Sequence, residues 1–211
     1  MAGPTRRDAE RLDRDDPLAV YRDRFLIAEP GLAYLDGNSL GRLPLAARDR
    51  LQRAIDDEWG GGLVGSWDEW IDLPQRTGAL LRPLIGAGEG ETTLADSTSV
   101  NLYKLAGAAL AARPGRDVIV TDRGNFPTDR YVLEGLAASM GAEVRYAATD
   151  PILGPTPDAV AGCLDDRVAL VSLSHVSYRS GAIAEMARVN AAAHAAGALT
   201  LWDLSHAVGA V

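Results

Sequence analysis

Asp203 and His206 stand three residues apart just past the apolar run 198–202, Ala-Leu-Thr-Leu-Trp. Such a run reads as a buried strand, and in open α/β sheets the side chains at strand carboxyl ends face the ligand crevice. A carboxylate placed there could hold a protonated ring nitrogen, and an imidazole could orient a neighbouring group or stack on a ring. Asp-x-x-His also offers two metal ligands, but no further His, Cys or Glu cluster accompanies it, which makes metal the weaker reading.

Three other strand ends carry chemistry of their own. Asp96-Ser97-Thr98-Ser99 precedes a helix beginning near Val100, where hydroxyls and free backbone N–H groups could cradle a phosphate or simply cap the helix. The loop Arg123-Gly124-Asn125-Phe126-Pro127-Thr128-Asp129 offers Phe126 for stacking on a planar ring and Asp129 for proton exchange or hydrogen bonding. Thr128 as a cap and Asp129 as a first-turn acid explain the same loop locally. Ser174 and His175 follow the run 168–173, with Ser174 placed to touch a ligand and His175 given no role. His194, just before Gly197, suits the C-terminal end of a helix. Together the four ends suggest a phosphate-bearing cofactor with a ring nitrogen.

Alternating elements must position these groups. Strands are predicted at 92–95, 118–121, 143–146, 168–173 and 199–202, with helices at 100–112, 128–139 and 185–196 and a shorter one near 157–164. This alternation predicts an α/β fold, a mostly parallel sheet with helices on both faces. Upstream, Asp16 and Pro17 open one helix, 34–36 is extended, Pro44 opens a second helix closed by Gly60–Gly62, 67–70 is a loop and 74–85 is helical. The domain reading is a disordered lead at 1–15, an N-terminal helical segment at 16–90 packing on the large domain, and the partial α/β large domain at 91–211.

Composition narrows the function classes. A net charge of −8 argues against a general nucleic-acid or anionic-membrane binder, and no apolar stretch is long enough to span a bilayer. Cys163 is the only cysteine, which favours a reducing, cytoplasmic setting, and the charged N-terminus has no apolar signal core. Of 21 lysines and arginines only Lys104 is a lysine, so Schiff-base chemistry has one candidate, and its position a turn into a helix suits an ordinary surface lysine better.

Four segments in order resemble the kynureninase family, pyridoxal-phosphate enzymes of the aspartate aminotransferase-type fold. They are Tyr34-Leu35-Asp36-Gly37-Asn38-Ser39-Leu40-Gly41-Arg42-Leu43-Pro44, the stretch Asp96 to Leu102, the loop Arg123 to Asp129, and Trp202-Asp203-Leu204-Ser205-His206-Ala207-Val208-Gly209. The resemblance implies a fold-type-I large domain, truncated, with pyridoxal 5′-phosphate as cofactor. By it, Thr98 and Ser99 would bind the phosphate and Phe126 would stack on the pyridine. Asp203 would pair with its nitrogen, Asp129, Ser174 and His206 would line it, and Ser39 would lie near the substrate.

The implied reaction is hydrolysis of L-kynurenine, or its 3-hydroxy form, to anthranilate and L-alanine, in tryptophan catabolism through the kynurenine pathway toward NAD biosynthesis. A homodimer is implied for the full-length form. The family's Schiff-base lysine is expected beyond Val211, which makes the chain an N-terminal portion with little activity of its own. Two alternatives stand beside this: another fold-type-I enzyme such as a cysteine desulfurase, or a non-catalytic protein that binds a phosphorylated ligand or is completed by a partner chain.

Overall fold

Thr5 and Asp8 form a capping box in the computed structural model, which describes residues 3–211. The Thr5 N–H donates to Asp8 Oδ2 at 2.9 Å, and the Asp8 N–H donates back to Thr5 Oγ1 at 3.4 Å. This box starts α1 (Arg6–Asp15), where the composition predicts a disordered lead. The helix buries no residue, so capping and ion pairs such as Arg6–Glu10 hold it rather than packing. Met1 and Ala2 of the expected lead lie outside the described residues.

The chain divides into two units, Met1–Asp72 and Leu73–Val211. In the first, the helix expected from Pro17 is a 3₁₀ turn, Ala19–Arg24, and 34–36 forms no strand. Pro44 precedes α2 (Leu45–Arg53), which widens into a π-helix, Ala54–Gly62, followed by a 3₁₀ turn, Leu63–Ser66. The expected loop at 67–70 is the short helix α3 (Trp67–Trp70). Glu58 ties these pieces together: Arg50 Nη1 lies 2.8 Å from Oε1, and Trp70 Nε1 donates to Oε2 at 2.8 Å. The Trp70 bond, with Arg50 beside it, holds the Glu58 carboxyl below its ordinary range.

The second unit opens with α4 (Leu73–Ile85), placing the division well before the boundary expected at 90. The reason is local packing. Gly78 lies so close to 92–93 that a Cβ there would meet the Thr92 carbonyl oxygen at 2.6 Å, and the Leu94 N–H donates to Pro74 O at 3.1 Å. That bond also corrects the strand expected at 92–95, which pairs with the first turn of α4 and joins no strand.

The remaining elements follow the predicted alternation. They are α5 (Thr98–Ala111), β1 (Val118–Asp122), α6 (Pro127–Met140), β2 (Glu143–Ala147), the small hairpin β3 (Thr149–Asp150) and β4 (Gly154–Pro155), α7 (Pro157–Ala161), β5 (Val168–Ser174), α8 (Met186–Ala195) and β6 (Leu199–Asp203). Four strands make one parallel sheet in the order β2-β1-β5-β6. Residues alternate between its faces. Ile119 and Leu170 pack with Leu102, Leu133 and Leu136 from α5 and α6, while Val118, Val120, Val168 and Val171 pack with Val160 and Val189 from α7 and α8. Helices on both faces keep the central strands β1 and β5 dry, so these two read as nearly continuous apolar runs.

Candidate functional site

Because all four strands are parallel, Asp122, Ala147, Ser174 and Asp203 emerge at one edge of the sheet, with Ser174 and Asp203 in register. Strand order reverses around β1, which has β2 on one side and β5 on the other. The crevice at such a reversal is where open α/β sheets bind ligands. The loop after β1 carries Phe126 and the loop after β5 begins at Ser174, so both flank it.

Asn125 joins the two loops. Its Oδ1 accepts from Ser174 Oγ at 2.7 Å and from the Phe126 N–H at 2.8 Å, while its Nδ2 donates to Thr121 Oγ1 at 3.2 Å. Asn125 is buried, and this network fixes where the Phe126 backbone leaves the strand. The Ser174 hydroxyl has one proton, and its contact with Asp203 Oδ2 is a longer 3.5 Å. Asp203 Oδ1 accepts from both the N–H and the hydroxyl of Ser205, at 2.8 and 2.6 Å. Oδ2, with only the long Ser174 contact, is the oxygen more open to an incoming donor.

Asp129, in the first turn of α6, is 3% exposed and its carboxyl lies beside that of Asp203. Burial first, then the neighbouring Asp203 charge, pushes Asp129 up to about 7. Among the described residues neither acid has a Lys or Arg ion pair. The pair therefore fits a ligand that brings a cationic N–H to Asp203 Oδ2. Asp122 is a second buried carboxyl, raised by desolvation although it accepts from Thr149 Oγ1 at 2.9 Å and the Gly124 N–H at 2.7 Å.

The other expected site residues share no hydrogen bond with this group among the described residues. Ser97 caps α5 by accepting from the Val100 N–H at 3.4 Å, leaving the Thr98 hydroxyl exposed and Ser99 half-buried at the helix start. No hydrogen bond links either to the Phe126–Ser174–Asp203 group among the described residues. His206 is half-buried in the turn after β6 and makes no hydrogen bond to that group among the described residues. Ser39 lies in the other unit, where its hydroxyl donates to Asp36 Oδ1 at 2.6 Å.

His175 and Lys104 match their plain readings. The His175 ring meets Trp202 edge-on at 6.2 Å and the His175 backbone N–H donates to Asp203 O at 3.0 Å, while Lys104 forms an exposed ion pair with Asp96. Sequence reasoning missed Asn125, Asp122 and Tyr178. The Phe126 ring meets Tyr178 edge-on, centroids 5.2 Å apart at 80°. An Asn one residue before the aromatic was the available signal, since an Asx side chain often caps its own loop.

Comparison with known proteins adds a second line of evidence. Residues 75–211 match the aminotransferase class-V family. A kynureninase of Burkholderia pseudomallei (strain 1106a) is 45% identical over 98% of this chain, which covers 50% of that protein. A kynureninase of Pseudomonas fluorescens is 44% identical with the same coverages. The chain thus spans about half the length of the curated relatives it matches. Among solved structures, a C-DES mutant with glycine covalently linked to its PLP cofactor superposes with a TM-score of 0.73 at 19% identity, over 90% of this chain and 51% of that one. The cysteine desulfurase CsdA from Escherichia coli gives 0.69 at 20% identity, over 88% and 48%. At these identities the two structures establish the fold.

Proposed function

This chain belongs to the aminotransferase class-V family, and on that premise we propose that it is the cofactor-holding part of a kynureninase, using pyridoxal 5′-phosphate to cleave L-kynurenine, or its 3-hydroxy form, to anthranilate and L-alanine. The observation that carries the reading is the Asp129–Asp203 pair, two neighbouring carboxyls at a parallel-strand end, with Asp203 Oδ2 held only by a long contact from Ser174. A pyridinium N–H supplies the positive charge that this pair lacks, and the 45% identity to a kynureninase supports the choice of reaction.

When bound, the cofactor supplies an electron sink for breaking the side-chain carbon–carbon bond by hydrolysis. The chain's own residues do the positioning. Asp203 Oδ2 keeps the ring nitrogen protonated, and Asp129 holds or releases a proton according to the charge beside it. Asn125 locks the backbone from which Phe126 stacks on the ring, and Ser174 stays oriented by the same amide. Thr98 and Ser99 offer hydroxyls and helix N–H groups to the phosphate. His206 lines the ring, and Ser39 meets the substrate. We further infer a homodimer working in the cytoplasm in tryptophan catabolism toward NAD; the described helices include none long and apolar enough to cross a membrane.

The test joins this chain to the C-terminal half of the Burkholderia pseudomallei relative, supplies pyridoxal phosphate, and offers kynurenine and cysteine side by side. Anthranilate fluorescence from kynurenine is the expected result. Sulfide from cysteine without anthranilate would overturn the reading in favour of a desulfurase.

A further inference from the structure

Phe126 leaves β1 from a turn that is held from two sides. One side is the Asn125–Ser174 link to β5. The other is Asp122, the last residue of β1, which is 3% exposed. Its Oδ1 accepts from the Gly124 N–H at 2.7 Å and from Thr149 Oγ1 at 2.9 Å, so one oxygen ties the turn to the first strand of the β3–β4 hairpin. Within the turn, the Asn125 N–H donates to the Asp122 carbonyl oxygen at 3.3 Å. A buried carboxyl costs free energy unless such donors compensate it, and here they come from the turn and the hairpin alike.

The hairpin closes without this bond. Thr149 and Asp150 pair with Pro155 and Gly154, and Asp150 Oδ1 accepts from the Ile152 and Leu153 N–H groups, both at 2.8 Å. Gly154 supplies the left-handed backbone of the reversal, with φ at +75°. The Thr149 hydroxyl takes no part in that ladder, and its other acceptor, Ala147 O, is farther away at 3.4 Å. Packing joins the same two pieces. A Cβ on Gly124 would meet Thr149 Cγ2 at 2.9 Å and Asp122 Oδ1 at 3.0 Å, so the hairpin sits directly against the turn.

We propose that Asp122 and Thr149 are positioning residues: their bond straps the hairpin onto the turn before Phe126 and fixes the direction in which the Phe126 ring projects. Both act through Phe126. That the ring so held stacks on a cofactor rests on the pyridoxal-phosphate reading; the strap itself does not.

The chain has two phenylalanines, Phe25 and Phe126, one in each unit. Labelling with para-fluorophenylalanine therefore gives two fluorine NMR resonances, which Phe126→Leu assigns. Thr149→Val, which removes the hydroxyl, and Gly124→Ala, which wedges the contact apart, are expected to shift or broaden the Phe126 resonance and leave that of Phe25 in place. Thr149→Ser keeps the hydroxyl and restores the parent spectrum. A Phe126 resonance unmoved by both disrupting variants, or moved as far by Thr149→Ser, would overturn the strap. Titration with pyridoxamine 5′-phosphate reads the consequence for the site. Thr149→Val should weaken binding about fivefold when Phe126 is present and leave it unchanged in a Phe126→Leu chain, because no ring remains to aim. An equal loss in both backgrounds, or none in either, overturns the positioning role. A parent chain that takes up no pyridoxamine phosphate, with its Phe126 resonance still moved by Thr149→Val, supports the strap and removes the cofactor reading.

Discussion

The two units differ in what they do with their apolar residues. Among the described residues every buried hydrophobic side chain lies between Leu102 and Ala207, in the α/β unit, whereas the N-terminal unit buries only Ser66. That unit nonetheless carries Trp59, Val64, Leu35 and Trp67 at 60% exposure or more. In the α/β unit, each strand finds helices on both faces within its own sequence neighbourhood. The N-terminal unit has short helices, a π-helical stretch and three successive glycines at 60–62, and closes around hydrogen bonds to Glu58 in place of a core. Stability in this chain therefore concentrates in the sheet that carries the candidate site.

Substitutions can break that contrast most sharply in the core. Leu170→Ala or Ile119→Ala should lose about 2–5 kcal/mol in urea unfolding, while Trp59→Ala should change it by no more than about 0.5 kcal/mol. Comparable losses in both units would refute the division of stability.

A pH series comes next. Asp129 titrates near 7 in the folded chain, against about 3.9 in an unfolded one. Between those values the folded chain keeps a proton that the unfolded chain has released. Its contribution to stability therefore falls as pH rises from about 4 to about 7 and is level above. Asp122, also raised, acts in the same direction. Asp129→Asn should flatten the fall in Tm between pH 4.5 and 7.5 by about 3 °C or more; an unchanged slope would contradict the assignment.

Smaller effects follow. Thr149→Val removes a donor from buried Asp122 and should cost about 1–3 kcal/mol in the same unfolding measurement. Thr5→Ala removes the α1 cap, and should reduce helical circular dichroism slightly with no shift of the main transition, because α1 packs against no core.

The parts of the fold legible in the sequence are those whose partners are nearby or whose burial is two-sided. The runs at 118–121 and 168–173 could hardly be other than central strands, and their ends located Phe126 and Ser174. Residues 92–95 misled because Thr-Thr-Leu has strand propensity, yet its hydrogen bond goes to Pro74 and not to a strand. Asn125 and Asp122 were invisible for another reason. Their roles depend on β1 lying beside β5 and on the hairpin returning Thr149, neither of which spacing along the chain reveals. Ser39 belongs to the unit without a core, where local periodicity says least.

The most direct test of the central claim is a titration with pyridoxamine 5′-phosphate, which has the ring, nitrogen and phosphate but no aldehyde to react with Lys104. Saturable binding is predicted, weakened about tenfold or more by Asp203→Asn and unaffected by Lys104→Ala. Binding that does not saturate, or that Asp203→Asn leaves unchanged, would contradict a cofactor cradle at these strand ends.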